Sequence, residues 1–357
     1  MLTQLSAWFG RFLWQVAARG LAASMLASCA SQPREIVVGG MDRIVVAPPQ
    51  KGSYREGASA AWLESVVISL FNGYAQYDAP LRHALPKAKV HTGLHKLMQS
   101  RSAALWIGHS TFLLRVGGLT VLTDPIFSET ASPVPFIGPR RYLPPALVIS
   151  ELPAIDAILV THNHFDHLDE ASLSALSQRF PDAALFLPKG TESRGRDAGF
   201  RRIRALESGD IVTFKGVDLL ALPAYHQMGP LDITPALNFS LRAGDGASMF
   251  FAGDTGYGPI FRRIRAVYGP HDVALVPIGD YQPIDEVGSV HARPEDALKI
   301  ADDLGVRVAI GMHWGTFPLS EVALYEPAQR FMRAKGSARP AVLRIGECLV
   351  LDDIRSQ

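Results

Sequence analysis

The chain has 357 residues, 48% of them hydrophobic, enough for one large domain or two modest ones. Its 35 basic and 34 acidic side chains leave a formal charge of +1, which argues against a nucleic-acid partner, and two cysteines, Cys29 and Cys348, exclude a disulfide framework. Local basic clusters at Arg140-Arg141, Arg201-Arg202 with Arg204, and Arg262-Arg263 with Arg265 read as solvated faces.

Residues 1–29 read as a lipoprotein-type signal segment. Residues 1–34 contain no acid, and Gly20 to Ser28 is an apolar, small-residue run of the length of a secretory core. It ends in Leu26-Ala27-Ser28-Cys29, which resembles a bacterial lipobox with Cys29 as the acylated first residue of the mature chain. Ala30 after it, rather than Asp, resembles the pattern for delivery to the outer membrane, facing the periplasm. The competing reading is an uncleaved amphipathic anchor, suggested by Trp8, Phe9, Phe12 and Trp14.

Residues 30–102 read as a linker and N-terminal extension, punctuated by Pro48-Pro49, Gly52 and Gly57, with a helical pattern from Ala61 to Leu70. The main domain, 103–357, opens with strands at Leu105 to Ile107 and Thr111 to Val116, a turn at Gly117-Gly118, and a returning strand from Leu119 to Thr123 that ends in Asp124-Pro125. Ile155 to Val160 is apolar throughout, as a strand buried on both faces should be. Asp169 is placed to cap a helix carrying Leu173, Leu176 and Phe180. Further strands are expected at Leu185 to Leu187, Ile211 to Phe214, Leu219 to Leu222, Leu237 to Leu241, Met249 to Phe251, Val273 to Val276, Val308 to Ile310 and Val342 to Ile345. Helices are expected near Ile260 to Val267, Pro294 to Leu304 and Glu326 to Ala334. Hairpins in runs with helices inserted later predict an α/β fold of two sheets packed face to face under outer helices.

Between the Ile155 strand and its helix lies His162-Asn163-His164-Phe165-Asp166-His167. Imidazole and carboxylate are donors that zinc prefers. In extended chain His162 and His164 point together with Asp166 following, and His167 faces elsewhere once the chain bends, so one loop can serve two metals. Three more apolar runs end in a candidate donor: Leu222 to His226, Met249 to Asp254 and Val308 to His313. Any one alone would more often be a polar residue closing a strand; repetition beside the first cluster favours ligands.

This donor order resembles that of metallo-β-lactamase fold hydrolases. The wording around it, Trp106-Ile107-Gly108-His109-Ser110-Thr111, Leu122 to Ser128, Ile149 to Pro153, Phe251 to Tyr257 and Met312 to Phe317, is similar to N-acyl-phosphatidylethanolamine-hydrolysing phospholipase D over roughly residues 103–350. The resemblance implies a four-layer αββα sandwich holding two zinc ions. One would sit on His162, His164 and His226 and the other on Asp166, His167 and His313, with Asp254 and a hydroxide bridging. It implies a catalytic set of Asp166, Asp254 and His291, with His291 at the substrate phosphate and Phe165 beside the substrate. Asp124 would orient a metal-bound histidine. His109 reads equally as such a supporting group or as a satisfied core histidine; His83, His91, His95 and His271 read as structural or exposed. Donor type alone suits manganese or iron as well. The family pattern Ile-Gly-Ala-Tyr-Glu-Pro-Arg is here Ile278-Gly279-Asp280-Tyr281-Gln282-Pro283-Ile284, without the Arg, which leaves the head group open.

Two zincs, two carboxylates and a hydroxide sum to about +1, a field that attracts an anionic phosphodiester. The expected activity is therefore hydrolysis of membrane phospholipid, with the Cys29 anchor holding the site near its substrate. The alternatives are a same-fold lactonase or ester hydrolase, and an envelope-anchored accessory protein with a non-catalytic metal site.

Overall fold

The computed structural model describes residues 34–36, 44–46, 82–133, 138–226, 234–282, 284–320 and 322–355; the Cys29 segment and the helix expected at Ala61 to Leu70 lie outside them. Gly117 and Gly118 form the expected turn with φ of 58° and 95°. A two-residue hairpin turn of type I′ needs that positive φ at both central positions. A β-carbon on Gly117 would also stand 2.5 Å from that of Ala243.

The turn joins antiparallel strands. β1 (Ala103–Gly108), β2 (Thr111–Val116) and β3 (Leu119–Thr123) are followed by β4 (Ala157–Leu159), β5 (Ala184–Pro188) and β6 (Arg202–Leu206), which add in parallel. A second sheet repeats this plan. β7 (Ile211–Phe214), β8 (Val217–Pro223), β9 (Leu237–Ala243) and β10 (Ser248–Phe251) are antiparallel, and β11 (Val273–Pro277), β12 (Val308–Met312) and β13 (Arg339–Ala341) are parallel. β14 (Cys348–Val350) then crosses back to pair with β1, giving each sheet seven strands. The central strands are buried along their whole length, as the sequence of the parallel ones requires.

Helices α1 (Lys87–Gln99) and α3 (Glu192–Asp197) lie on the first sheet, with α2 (Glu170–Arg179) beside α3. On the second sheet α5 (Pro294–Leu304) is flanked by α4 (Ile260–Tyr268) and α6 (Glu326–Arg333). This is the expected four-layer αββα arrangement. No helix among the described residues is long and apolar enough to cross a membrane.

Some local expectations need correction. Val342 to Ile345 is not a strand; Ile345 instead exchanges backbone hydrogen bonds with His83 and Leu85, just before α1. β6 carries no strand signal in its sequence because it is an edge strand with exposed arginines at 202 and 204, a common way to blunt a sheet edge. Asp169 does precede α2, but its carboxylate accepts the hydroxyls of Ser128 and Ser172 rather than helix amides. Arg141 is not a solvated side chain: it donates to the carbonyls of Ile126 and Ser128 and lies over the Phe317 ring.

Strand directions place the site. β1, β3 and β4 run one way in the first sheet, and β8, β10, β11 and β12 run one way in the second. The residues just past their carboxyl ends include His109, Asp124, His162, His226, Asp254, Asp280 and His313. Carboxyl-end clefts are where α/β sheets gather their polar groups.

Candidate metal centre

Asp124 organises the start of the histidine string. Its carboxylate accepts the Thr161 amide at 2.8 Å, the Thr161 hydroxyl at 2.7 Å and His167 Nδ1 at 2.7 Å. The Thr161 hydroxyl, having given its proton to Asp124, accepts from His162 Nδ1 at 2.9 Å. His226 Nδ1 donates to the Val290 carbonyl at 3.1 Å. Each bond engages the outer ring nitrogen and leaves Nε2 facing inward, the orientation a metal-binding imidazole needs.

The inward nitrogens fall into two groups. His162 Nε2 and His226 Nε2 lie 3.0 and 3.1 Å from His164 Nδ1, with Asp254 completing the set. His167 Nε2 and Asp166 Oδ2 lie 3.1 and 3.2 Å from His313 Nε2, with His109 completing the set. Within each group the donor atoms lie within 4.8 Å of one another. Asp254 Oδ2 stands between the groups, 3.2 Å from His167 and His313, 3.8 Å from His162 and 4.0 Å from His226. The split follows the chain: residues after His164 turn, so strand alternation stops and Asp166 joins His167 rather than the first pair.

These residues fit a pair of cations. Three ring nitrogens converging at about 3 Å cannot all be satisfied by one another's protons, because a neutral imidazole offers a single N–H. The buried Oδ1 of Asp254 has no hydrogen-bond partner among the described residues. Charge distribution agrees. Burial and neighbouring histidines hold His162 and His226 far below the ordinary imidazole range, neutral and able to ligate. Burial pushes the other way on the two carboxyls, but His167 first among their neighbours outweighs it, holding Asp166 and Asp254 well below the carboxylate range. His313 is raised to about 10 because Asp254 and Asp166 outweigh burial. Positive charge is thus wanted where the two sets meet.

Backbone strain gathers here too. Of the five non-glycine residues with positive φ among the described residues, four are His109, Asp124, Asp280 and His313, a conformation that ordinarily costs about 1–3 kcal/mol and marks functional sites. Gly279 packs so closely that a β-carbon there would stand 2.0 Å from the His313 carbonyl oxygen.

The other candidates are placed around this centre. His291 is buried, its Nδ1 4.0 Å from Asp254 Oδ2. Burial, only partly offset by Asp254, lowers it to about 4. Phe165 is 46% exposed. Two residues were undervalued in the sequence. His109 Nε2 meets Asp166 Oδ2 at 2.8 Å; its signal was the same as for His313, an apolar strand ending in histidine. Asp280, which stands where the family pattern has Ala, has its Oδ2 3.7 Å from His291 Nε2. Burial raises the Asp280 carboxyl well above its ordinary range; His313 opposes this, and Asp254 and Asp166 add to it. His83 and His271 are buried with partners, Nε2 of each lying 2.7 Å from the Gly315 carbonyl and the Ser240 hydroxyl respectively.

Known proteins share this plan. A sequence profile described as the beta-lactamase superfamily domain matches residues 120–314. An uncharacterised protein of Mycobacterium tuberculosis is 34% identical over 265 residues, covering 71% of this chain and 69% of that protein. N-acyl-phosphatidylethanolamine-hydrolyzing phospholipase D 1 of Caenorhabditis elegans is 32% identical over 241 residues, covering 64% and 68%. Among solved structures, a metallo hydrolase from Ignicoccus hospitalis superimposes with a TM-score of 0.53 at 23% identity, covering 70% of this chain and 97% of that one; it supports the fold alone.

Proposed function

The chain belongs to the metallo-β-lactamase superfamily of metal-dependent hydrolases, and on that premise we propose that it is a dinuclear zinc phosphodiesterase of phospholipase D type, acting on N-acyl-phosphatidylethanolamine-like phospholipids. The observation that carries this reading is a single carboxylate oxygen, Asp254 Oδ2, shared between two histidine-rich donor sets. Two zinc ions held by His162, His164 and His226 and by Asp166, His167 and His313 would supply an activated water and a positive clamp for phosphoryl oxygens. The protein's own groups hold that arrangement. Asp124 fixes the His167 ring, His109 fixes Asp166, and Asp254 neutralises charge between the sets. His291 stands beside Asp254, where a substrate oxygen would arrive, and the exposed Phe165 ring offers a lipid contact. The similarity to the nematode phospholipase D supports the substrate class.

The test is a substrate panel on purified protein: N-acyl-phosphatidylethanolamine, plain phosphatidylethanolamine and a set of lactones, with bound metal counted by elemental analysis. Close to two ions per chain and release of phosphatidic acid from the lipids are expected. Lactone cleavage without lipid cleavage would replace this reading with a lactonase or ester hydrolase, an option kept open by Ile284 standing where the family pattern has Arg. Two ions with no hydrolysis of any panel member would favour an accessory protein.

Cys29 as an acylated residue would hold the enzyme at the outer membrane, facing the periplasm, beside its lipid substrate. Wild-type protein recovered from a bacterial envelope should then weigh more than the cleaved polypeptide by the mass of a lipid group. Cys29→Ser should keep its first 28 residues and carry no lipid; equal processing of both forms would remove the anchor.

A further inference from the structure

We infer that His83 is a positioning residue of the metal centre: it fixes the loop that carries His313 and so sets how tightly the second donor set holds its cation. The inference rests on the two-cation reading of the site and not on the choice of substrate.

His313 follows β12 at φ 59°, and Gly315, two residues on, has φ 68°. A histidine keeps that conformation only where its surroundings hold the loop. Part of the hold comes from within the centre. The His313 amide donates to the His109 carbonyl at 3.3 Å, and the Thr316 hydroxyl accepts the His109 amide at 2.7 Å. A further part comes from the segment before α1. His83 Nε2 donates to the Gly315 carbonyl at 2.7 Å, and the His83 ring lies 5.4 Å from that of Trp314. His83 thus meets the two residues next after His313. The approach is so close that a β-carbon on Gly315 would stand 3.1 Å from Nε2. His83 precedes the domain start expected at 103 and the profile match at 120–314, yet it reaches the metal centre's own loop.

The ring is anchored apart from the loop it holds. The Tyr325 hydroxyl, at the head of α6, accepts the Arg82 amide at 3.1 Å and donates to His83 Nδ1 at 3.2 Å. One neutral tautomer satisfies every bond, with Nδ1 accepting and Nε2 carrying the proton. Burial favours that neutral form by lowering the His83 pKa, against the Gly315 carbonyl, which raises it. The backbone is tied down as well. The His83 carbonyl accepts the Ile345 amide at 2.7 Å, the Leu85 amide donates to the Ile345 carbonyl at 2.9 Å, and the Gly346 amide donates to the Trp106 carbonyl at 2.7 Å. The pin is therefore fastened to β1 of the first sheet, while the loop it grips leaves β12 of the second. His313 joins Asp166 and His167, whereas His162, His164 and His226 do not depend on this loop. A slack loop should cost one cation and spare the other.

The test uses full-length protein, stripped of metal and titrated with zinc against a chromophoric chelator, which returns a dissociation constant for each ion. His83→Phe keeps a ring against Trp314 and removes both hydrogen bonds; His83→Gln puts back an N–H at the reach of Nε2. His83→Phe should weaken one ion by about tenfold to a hundredfold, the usual cost of losing a group that orients a metal ligand, and leave the other within about threefold. His83→Gln should recover most of the loss. Equal weakening of both ions, no weakening, or a Gln variant as weak as the Phe variant would overturn the inference. A role confined to folding would lower the thermal midpoint of the metal-free protein and leave the ratio of the two constants unchanged, and that also would overturn it. Tyr325→Phe unties only Nδ1 and should weaken the same ion by a smaller factor; it decides the matter if His83→Phe does not fold. Wild type that takes up a single ion would sink the two-cation reading, and this inference with it, before any variant is made.

Discussion

Replacing Asp254 by Asn is expected to lower turnover by on the order of a thousand-fold or more while leaving the fold intact. The substitution conserves shape at a site with 2% side-chain exposure, so packing at the end of β10 is kept. What it removes is a negative charge that stands within 4.0 Å of His162, His167, His226 and His313 alike. An amide offers a neutral oxygen and adds an N–H that points at nitrogens which must stay lone-pair donors. Each donor set keeps its own residues, so one ion can remain, but the group joining the sets is lost. The measurements are kcat on whichever panel substrate wild type cleaves, metal content per chain, and the thermal midpoint. The expected pattern is near-zero kcat, metal falling from about two toward one, and a cooperative melt. Retained turnover with two ions bound would show that Asp254 does not join the sets.

How much of this centre could be read from the chain follows from what each residue must do. Donors that end an apolar run, such as His226, Asp254 and His313, announce themselves, because a buried strand tolerates a polar group only where it leaves the sheet. His109 carries the same mark after Trp106 and Ile107. It stayed ambiguous because nothing local shows that its ring meets Asp166 from across the sheet. Strand alternation gave the His162–His164 pair correctly and misled for Asp166, since the turn after His164 breaks the period. Asp280 was the hardest to see: its significance comes from a positive φ and from His291, contributed by a different segment. For the fold, apolar content marked every central strand, while the edge strand β6 was concealed by its arginines. Val342 to Ile345 has strand composition yet is held by backbone bonds to His83 and Leu85 instead.

Stripping the metals with a chelator is expected to lower the thermal midpoint by roughly 8–16 °C, and by more at pH 9 than at pH 6. Ions present at about a thousand times their dissociation constant stabilise a fold by about 4 kcal/mol, and in a domain of this size each kcal/mol moves the midpoint by about 2–4 °C. The pH dependence follows from what takes the place of the cations. Without them, protons on His167 and His313 balance Asp166 and Asp254. Burial lowers both imidazoles, but the carboxylates raise His167 well above its ordinary value of 6.5 and His313 to about 10. A pKa raised on folding gives stability that is complete below the unfolded value and is lost as pH rises through the folded one. The stripped protein therefore loses this contribution progressively above about pH 6.5. The depressed carboxyls, Asp166 and Asp254, act only below the ordinary carboxylate value of 3.8 and do not enter this window. In the loaded protein the histidines are deprotonated ligands, and metal affinity itself rises with pH. Both effects widen the gap between loaded and stripped protein as pH increases. Melting curves with and without chelator at pH 6, 7.5 and 9 would measure it; no shift with chelator would mean that the two donor sets hold no structural cation, and a gap that narrows as pH rises would mean that protons on His167 and His313 do not take the cations' place.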